Sequence, residues 1–234
     1  MSAARRVLRP LMRPGLRRVP PARAAWRVLG RRDELRFWQS AGERLVGDGR
    51  REWTYTELFG IELEWYRGKR ILDVGCGPRA SLDWASGLAA ACVGLDPLAE
   101  SYRALGTDDH AMEYVSGVAE AMPFEDESFD VVGSFNALDH VDDVPRAAAE
   151  IARVLRPGGL FLLASELNHR ARLTEPQTFG WEVTELFRPA FEVVDERRLT
   201  DTGEGIDDSL RRAVPYDDPA GERPGVLAAK LRRR

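Results

Sequence analysis

The turn that follows an apolar run at residues 71–82 (ILDVGCGPRASL) constrains the fold of this chain more than any other stretch. Residues 71–74 predict a buried strand, and Gly75 and Gly77 follow it directly. Because glycine permits backbone conformations and close approaches that other residues do not, this spacing is typical of a strand–turn–helix unit that holds a ligand against its backbone. The stretch therefore predicts an α/β fold with a ligand site at the end of its first strand.

Two carboxylates narrow the kind of ligand. Asp73 lies at the mouth of the turn, and Ala80 stands where a dinucleotide site has its third glycine. A negative charge there would repel a pyrophosphate and attract a cationic group. Asp96 follows the predicted strand 91–95. Nucleotide-binding α/β folds place an acidic residue roughly 20 positions after the glycine turn, where it accepts hydrogen bonds from ribose hydroxyls.

Two later segments complete the pattern, SGVAEAMPFEDESFDVVGSFNALDHV at 116–141 and RVLRPGGLFLLASE at 153–166. Together with the glycine turn and Asp96, they resemble the class I S-adenosylmethionine-dependent methyltransferases, in the group with a loop of the AExLPFxxxSFD type. The resemblance covers roughly residues 70–200. It implies a methyltransferase that uses S-adenosyl-L-methionine as its cofactor.

The resemblance also implies a set of cofactor-binding residues at the strand ends and in the loops after them. They are Asp73, Gly75, Cys76, Gly77, Asp96, Leu98, Ala119, Glu120 and Asn136. The chain departs from the family at Val118, where an Asp often accepts the adenine amino group. That hydrogen bond is lost here or moves to Glu120. We therefore expect adenine to be bound more by backbone groups near Ala119 and by apolar contacts with Leu98 or Met122.

The alternation of apolar strands with amphipathic segments predicts an α/β, Rossmann-like doubly wound sheet with α-helices on both faces and a final antiparallel strand. The expected strands are 71–75, 91–95, 112–117, 130–135, 160–163, 191–194 and 225–231, and the expected helices are 80–90, 97–105, 144–155 and 180–188. The stretch 201–224, rich in Asp, Gly and Pro, predicts a long loop. Ligands in such folds bind at the carboxyl ends of the strands, so Asp73, Asp96 and Asn136 should converge on one crevice.

Three regions are expected along the chain: a basic, flexible arm at 1–32, a helical cap at 33–68 and the cofactor-binding domain at 69–234. The aromatic residues of the cap predict packing against the sheet, or a lid in which Trp38 or Tyr55 closes over the cofactor. The arm has ten arginines and no acidic residue, and its prolines prevent a long helix. Three interpretations of it stay open: a loosely docked arm, contact with an anionic membrane or substrate, and a targeting segment.

Composition excludes several classes of protein. Hydrophobic residues make up 44% of the 234 and charged residues 31%, which predicts a soluble globular protein, and no apolar run approaches the roughly 20 residues that cross a bilayer. Cys76 and Cys92 are too few for a disulfide framework and predict a reduced, cytoplasmic protein. Outside the arm the chain is acidic, so nucleic acid is not an expected partner. Nothing in the sequence indicates the oligomeric state.

Methyl transfer requires an acceptor held close to the methyl group and in line with it, and a proton acceptor when a hydroxyl is methylated. His140 and His169, which follow the fourth and fifth predicted strands, are the candidates for that role. The sequence shows no ligand set that requires a metal. The loop 136–140 lacks the Asn/Asp-Pro-Pro-aromatic sequence of amide and nucleobase N-methyltransferases, so the expected acceptor is a small molecule, a sugar or a lipid-linked precursor, methylated at oxygen. An NAD(P)-dependent oxidoreductase and a non-catalytic, cofactor-binding partner subunit remain alternatives.

Overall fold

A computed structural model describes residues 21–41, 51–170, 175 and 177–234. Its centre is one sheet of seven strands. The strands are β1 (Arg70–Val74), β2 (Ala91–Asp96), β3 (Glu113–Ser116), β4 (Phe129–Phe135), β5 (Leu155–Leu167), β6 (Phe191–Thr200) and β7 (Gly225–Arg233). They lie in the order β3-β2-β1-β4-β5-β7-β6.

The first five strands are parallel, and β7 runs antiparallel to both of its neighbours, β5 and β6. This confirms the predicted α/β sheet with a final antiparallel strand. The chain leaves β1 in one direction for β2 and β3 and returns on the other side of β1 to β4. Loops after β1 and β4 therefore diverge at that point, which opens a crevice at the carboxyl edge of the sheet.

Both faces of the sheet are covered. Successive side chains of a strand point to opposite faces, so Leu72 and Ile71 belong to two different apolar clusters. The cluster of Leu72 includes Ile151 from a helix after β4, and the cluster of Ile71 includes Tyr55 from the segment before β1. All four side chains are fully or almost fully buried, and each such apolar side chain contributes roughly 1.5–3 kcal/mol to folding.

The α-helices are α1 (Pro21–Ala41), α2 (Glu52–Tyr55), α3 (Ala99–Tyr102), α4 (Val144–Val154) and α5 (Ile206–Arg212). The 3-10 helices are Glu57–Phe59, Leu63–Tyr66, Asp83–Ala85, Arg103–Leu105, Thr107–Asp109, Leu138–His140 and Trp181–Leu186. The predicted helix 97–105 is therefore a short α-helix followed by a 3-10 turn, and the predicted helix 180–188 is a 3-10 helix.

The predicted helix at 80–90 was wrong, because only a 3-10 turn forms there, at Asp83–Ala85. The segment is held by contacts with a remote loop. The Asp83 carboxylate accepts hydrogen bonds from the backbone N–H groups of Ala111 and Met112, at 3.0 and 2.9 Å, and Ala80 begins the segment with φ at 53°. These contacts satisfy the local polar groups in an irregular path, so the helix propensity of the segment is overridden.

The helix after β4 follows its sequence signals. Asp143 precedes α4 and accepts a hydrogen bond from the N–H of Arg146, at 3.0 Å, while Pro145 lies in the first turn. The helix ends one residue earlier than predicted because Leu155 already pairs with Phe129 as the first residue of β5. The strand predicted at 160–163 thus begins before the Pro-Gly-Gly turn, with a register shift between β4 and β5.

The stretch 201–224 was predicted to be a loop, and this was wrong in part, because α5 forms inside it. Leu210 of this helix is buried in the same apolar cluster as Ile71, and Ser209 is fully buried. The flanking glycines and prolines obscured a helix of seven residues, which is too short to be stable without that tertiary contact.

The helix α1 runs across the boundary predicted at residue 32 between the arm and the cap. Residues 1–20 lie outside the described part of the chain, so the membrane and targeting interpretations of the arm remain predictions. The helices that the structure describes include none with both the length and the apolar character needed to span a bilayer.

Candidate functional site

A cavity of about 920 Å³ opens at the carboxyl edge of the sheet, next to the ends of β1, β2 and β4. The predicted convergence of strand-end side chains takes place here. All nine residues expected to bind the cofactor line the cavity: Asp73, Gly75, Cys76, Gly77, Asp96, Leu98, Ala119, Glu120 and Asn136. Their assignment to particular cofactor atoms remains a prediction.

The glycine turn is shaped by close contacts on both sides. Gly75 has φ at +75°, and its N–H donates to the carbonyl oxygen of Leu95 at 2.8 Å. A Cβ added to Gly75 would lie 2.3 Å from the Cβ of Ala137, in the loop after β4. Gly77 has φ at +55°, and a Cβ there would lie 2.9 Å from the indole ring of Trp38. Both positions therefore require glycine for conformation and for space.

Asp96 has a structural task as well as a place in the cavity. Its two carboxylate oxygens accept hydrogen bonds from the N–H groups of Gly77, at 3.1 Å, and Leu98, at 2.8 Å. The Tyr102 hydroxyl also interacts with this carboxylate, and the acceptor capacity that remains is available to ligand hydroxyls. Burial raises the pKa of Asp96, and the two backbone hydrogen bonds oppose that rise. The sequence predicted the ligand contact but not the bond that ties β2 to the glycine turn.

Asp73 is buried at the end of β1, with 3% of its surface exposed. Burial raises the pKa of Asp73 to about 6, while the Ser81 hydroxyl and the Arg51 guanidinium act in the opposite direction. Arg51 and Arg79 also line the cavity and lie 3.1 and 3.5 Å from the carboxylate of Asp207 in α5. Neither arginine was singled out from the sequence, because their partner lies more than a hundred residues away.

The side of the cavity expected to hold adenine is formed by the loop after β3. Glu120 is buried there, and one of its oxygens accepts hydrogen bonds from the N–H groups of Asp142, at 2.7 Å, and Asp143, at 3.3 Å. Glu120 therefore joins this loop to the start of α4. Its suggested contact with the adenine amino group stays a prediction, with one oxygen already engaged.

The helix α1 supplies a wall of the cavity through Glu34, Phe37 and Trp38. The indole N–H of Trp38 donates to Glu34 at 2.9 Å, which holds the ring beside the glycine turn. Of the two lid candidates, Trp38 therefore has the suitable position. Tyr55 is fully buried and packs against Phe135 at a ring-centroid distance of 5.0 Å.

The loop after β4 brings one predicted catalytic candidate to the cavity. His140 lines it, whereas His169 is not among the described residues that do. Asp139 is buried between the two rings, with its oxygens 3.8 Å from Nε2 of His140 and 3.7 Å from Nε2 of His169. Burial raises the pKa of Asp139, and the neighbouring His140 opposes the rise. Glu175, which the sequence did not mark, also lines the cavity near these groups.

Residues 72–163 match the family model described as a methyltransferase domain, with the glycine turn and both strand-end carboxylates inside the matched stretch. This central stretch of the chain, residues 72–163, is a methyltransferase domain. The cavity lies at the ends of β1, β2 and β4, where open α/β sheets of this kind bind their ligands.

Curated relatives in this family share the central part of the chain. The uncharacterized methyltransferase YcgJ of Bacillus subtilis is 32% identical over 46% of this chain and 49% of its own length. The phthiotriol/phenolphthiotriol dimycocerosates methyltransferase of Mycobacterium leprae is 41% identical over 39% of this chain and 36% of its own. A ubiquinone biosynthesis O-methyltransferase of Chelativorans sp. is 32% identical over 43% of this chain and 41% of its own.

The matched stretches span about half or less of the length of these relatives. The crystal structure of YcgJ resembles the chain over a longer stretch, 76% of this chain and 96% of that one, with a TM-score of 0.51 and 21% sequence identity. This likeness shows a shared fold.

Proposed function

We propose that the chain transfers a methyl group from S-adenosylmethionine to an oxygen of a small-molecule, sugar or lipid-linked acceptor. The observation that carries this proposal is the meeting of two buried carboxylates, Asp73 and Asp96, on either side of the glycine turn in one cavity. The family membership of residues 72–163 supports it independently.

The residues of the cavity fit the charges of this cofactor. S-adenosylmethionine carries an ammonium, a sulfonium and a carboxylate. The carboxylate of Asp73 suits a cationic group, and the free acceptor positions of Asp96 suit the two ribose hydroxyls. Arg51 and Arg79, which line the same cavity, suit the cofactor carboxylate. Leu98 and Ala119 supply apolar surface for the adenine ring.

S-adenosylmethionine supplies a methyl group already activated by the positive charge on sulfur. The chain then has to hold the acceptor close to that carbon and collinear with the breaking bond, which is a large part of the rate enhancement in such displacements. The walls formed by α1 and by the loop after β4 are in place to do this, since Trp38 and His140 lie on the same cavity. The predicted role of His140 in removing the acceptor proton is separable from positioning, because it would change turnover without changing cofactor affinity.

Two features support oxygen as the acceptor atom. The loop Asn136–His140 offers no planar-amide clamp of the Asn/Asp-Pro-Pro-aromatic kind. One of the relatives is a ubiquinone biosynthesis O-methyltransferase.

Calorimetry tests the cofactor directly. Titration with S-adenosylmethionine, S-adenosylhomocysteine and NAD should show binding of the first two only, since Asp73 disfavours the pyrophosphate of NAD. Binding of NAD alone would replace the proposal with an oxidoreductase. Incubation with methyl-labelled cofactor and a cell extract, followed by untargeted detection of labelled products, should then reveal an O-methylated product. Cofactor binding with no labelled product from any extract would favour the non-catalytic partner subunit.

A further inference from the structure

Three side chains beside the loop after β4 form a compact group of potential metal ligands. The part of the cavity that they border is called its acceptor side. One ligand atom from each of Asp139, His140 and Glu175 lies within 4.8 Å of the other two. His140 and Glu175 also line the cavity. The group therefore borders the space in which an acceptor would lie.

The buried carboxylate of Asp139, which lacks hydrogen-bond partners among the described residues, is a second and independent indication of a bound ligand. Its side chain is fully buried, and neither carboxylate oxygen has a hydrogen-bond partner among the described residues. The nearest imidazole nitrogens, Nε2 of His140 and Nε2 of His169, lie 3.8 and 3.7 Å away, which is too long for a hydrogen bond. Ligand atoms that surround one cation at bond lengths of about 2.0–2.2 Å lie about 3.3–3.6 Å apart in a tetrahedron. The spacing of 3.8 Å between Asp139 and His140 is close to that value, and the three proposed ligand atoms, which lie within 4.8 Å of one another, would move closer together around a bound cation.

The surrounding structure holds these side chains in place. Asp139 and His140 lie in the 3-10 turn after β4. Gln177 binds the same loop twice, through its N–H to the carbonyl of Asp139 and through its amide nitrogen to the carbonyl of Val141, both at 3.1 Å. This brings Glu175, two residues earlier, to the turn. Such outer contacts orient metal ligands in known sites.

His169 supports the arrangement from the far side of Asp139. Its Nδ1 lies 3.1 Å from the carbonyl oxygen of Arg170, which makes Nδ1–H the donor and leaves Nε2 with its lone pair. Nε2 is buried and lacks a hydrogen-bond partner among the described residues. The ring is therefore available as a further ligand through that lone pair.

We propose that Asp139, His140 and Glu175 bind a first-row divalent cation, of the Mn²⁺ or Zn²⁺ type, at the acceptor side of the cavity. Two carboxylates and one imidazole match the ligand preferences of these ions and leave open positions for water or for an acceptor oxygen. The function of the cation rests on the proposed methyl transfer. A hydroxyl held by the cation would lose its proton to solvent water more readily, because the positive charge stabilises the oxyanion. The oxyanion would then take the methyl group from the sulfonium, leaving S-adenosylhomocysteine. In this arrangement His140 is a ligand, and it has no lone pair free to act as a base.

Metal binding can be measured without any assay of activity. Tag-free full-length protein, treated with chelator and desalted, is titrated with Mn²⁺ and followed by the electron paramagnetic resonance signal of free Mn²⁺, and with Zn²⁺ by calorimetry. We expect one ion per chain. Asp139→Asn and His140→Ala should each weaken binding by at least about tenfold, in line with the loss of a direct ligand.

Two control variants match the residue types. His110→Gln and Asp108→Asn change a histidine and an exposed aspartate in the loop before β3, and both should bind the metal like the unmodified chain. Thermal unfolding of every variant shows whether it is folded, and His140→Gln serves if His140→Ala is not. Absence of binding at millimolar metal, or equal binding by the Asp139 and control variants, would overturn the proposal.

S-adenosylmethionine calorimetry on the same samples separates this inference from the proposed function. If metal binding fails while cofactor binding and methyl transfer persist, the function stands without the metal, and His140 returns as the candidate base. If the metal binds and the cofactor does not, the proposed function fails while the metal site stands.

Discussion

The two halves of the cavity are built in different ways. In the cofactor half, backbone groups fix the position of the functional atoms: the turn at Gly75 is held by the carbonyl of Leu95, and Asp96 is held by the N–H groups of Gly77 and Leu98. These residues lie within 24 positions of one another in the sequence. In the acceptor half, side chains from α1, the loop after β4 and the segment around Glu175 meet, and the last two are joined by the two hydrogen bonds of Gln177.

This difference suits a site in which the cofactor is fixed and the acceptor can vary. A cofactor that does not change can be held by backbone hydrogen bonds, which depend little on the identity of the side chains. An acceptor half made from side chains of distant segments can be altered by single substitutions without moving the strands. We therefore expect substitutions in the cofactor half to affect binding and stability together, and substitutions in the acceptor half to separate them.

The largest effect is expected at Gly75. Its φ of +75° disfavours any side chain, and an added Cβ would lie 2.3 Å from that of Ala137, so Gly75→Val should displace the turn and the loop after β4 together. Strain and overpacking of this kind each cost about 1–3 kcal/mol of folding stability. Because the turn would also be misplaced relative to the cofactor, S-adenosylmethionine binding should fall by roughly 100-fold or more. Calorimetry gives the affinity and thermal unfolding gives the stability.

A paired variant shows which contact matters. Gly75→Ala should weaken binding, and Ala137→Gly in the same chain should restore part of it by removing the colliding methyl group. Unchanged affinity in Gly75→Val would mean that the cofactor does not bind at this turn.

Asp96 should give the next largest effect. Asp96→Ala removes the carboxylate that we predict to bind the two ribose hydroxyls, and it should weaken S-adenosylmethionine binding by at least about tenfold. It also leaves the buried N–H groups of Gly77 and Leu98 without an acceptor, so we expect a stability loss of about 1–3 kcal/mol. Asp96→Asn keeps one acceptor oxygen and should lose less stability than Asp96→Ala. Equal stability of all three chains would contradict the structural role.

The halves also differ in how far the sequence predicts them. The strands and the cofactor-side residues follow from apolar runs and strand-end carboxylates, whose spacing is local, and β1, β2 and β4 lie within one residue of their predicted bounds. The irregular segment around Asp83 and the helix α5 depend on long-range contacts with Met112 and the buried position of Leu210. The spacing of apolar residues within a segment does not indicate such contacts.

Dependence on long-range contacts also explains which residues of the site the sequence did not predict. Arg51 reaches the cavity beside Asp207, 156 positions away, and Glu175 reaches it through the bonds that Gln177 makes with the loop after β4. His140 was found because it follows a strand, whereas the burial of Asp139 beside it could be seen only in three dimensions.

A pH titration tests the cofactor half through Asp73. The pKa of this buried carboxyl is about 6, above the value of about 3.9 of an unfolded chain. Below pH 6 it becomes neutral, so cofactor affinity should fall as the pH drops, by up to about tenfold at pH 5. Stability should move the opposite way: the folded state binds more protons between the two pKa values, so the contribution of Asp73 to stability decreases as the pH rises from about 4 to 6.

Asp73→Asn is the control for that titration. The variant should bind S-adenosylmethionine more weakly at pH 7.5 and should lose the part of the pH dependence centred near 6. Calorimetry in a set of buffers of equal ionic strength measures both. An unchanged pH profile in the variant would assign the titration to another group, of which Asp96 is the nearest candidate because its pKa is also raised.

The smallest effect is expected from shortening the chain. A protein that starts at Asp33 lacks the first part of α1 and the lining residues Gly30 and Arg31, but it keeps Glu34 and Trp38, which lie beside the glycine turn and His140. Because the contacts with the turn come from the retained part, S-adenosylmethionine affinity should change by less than about threefold, the scale of a surface change. Trp38→Ala in the full chain is the matched comparison and should weaken binding more than the truncation does. A shortened chain that loses as much affinity as Trp38→Ala would show that the earlier part of the helix is needed to hold this wall of the cavity.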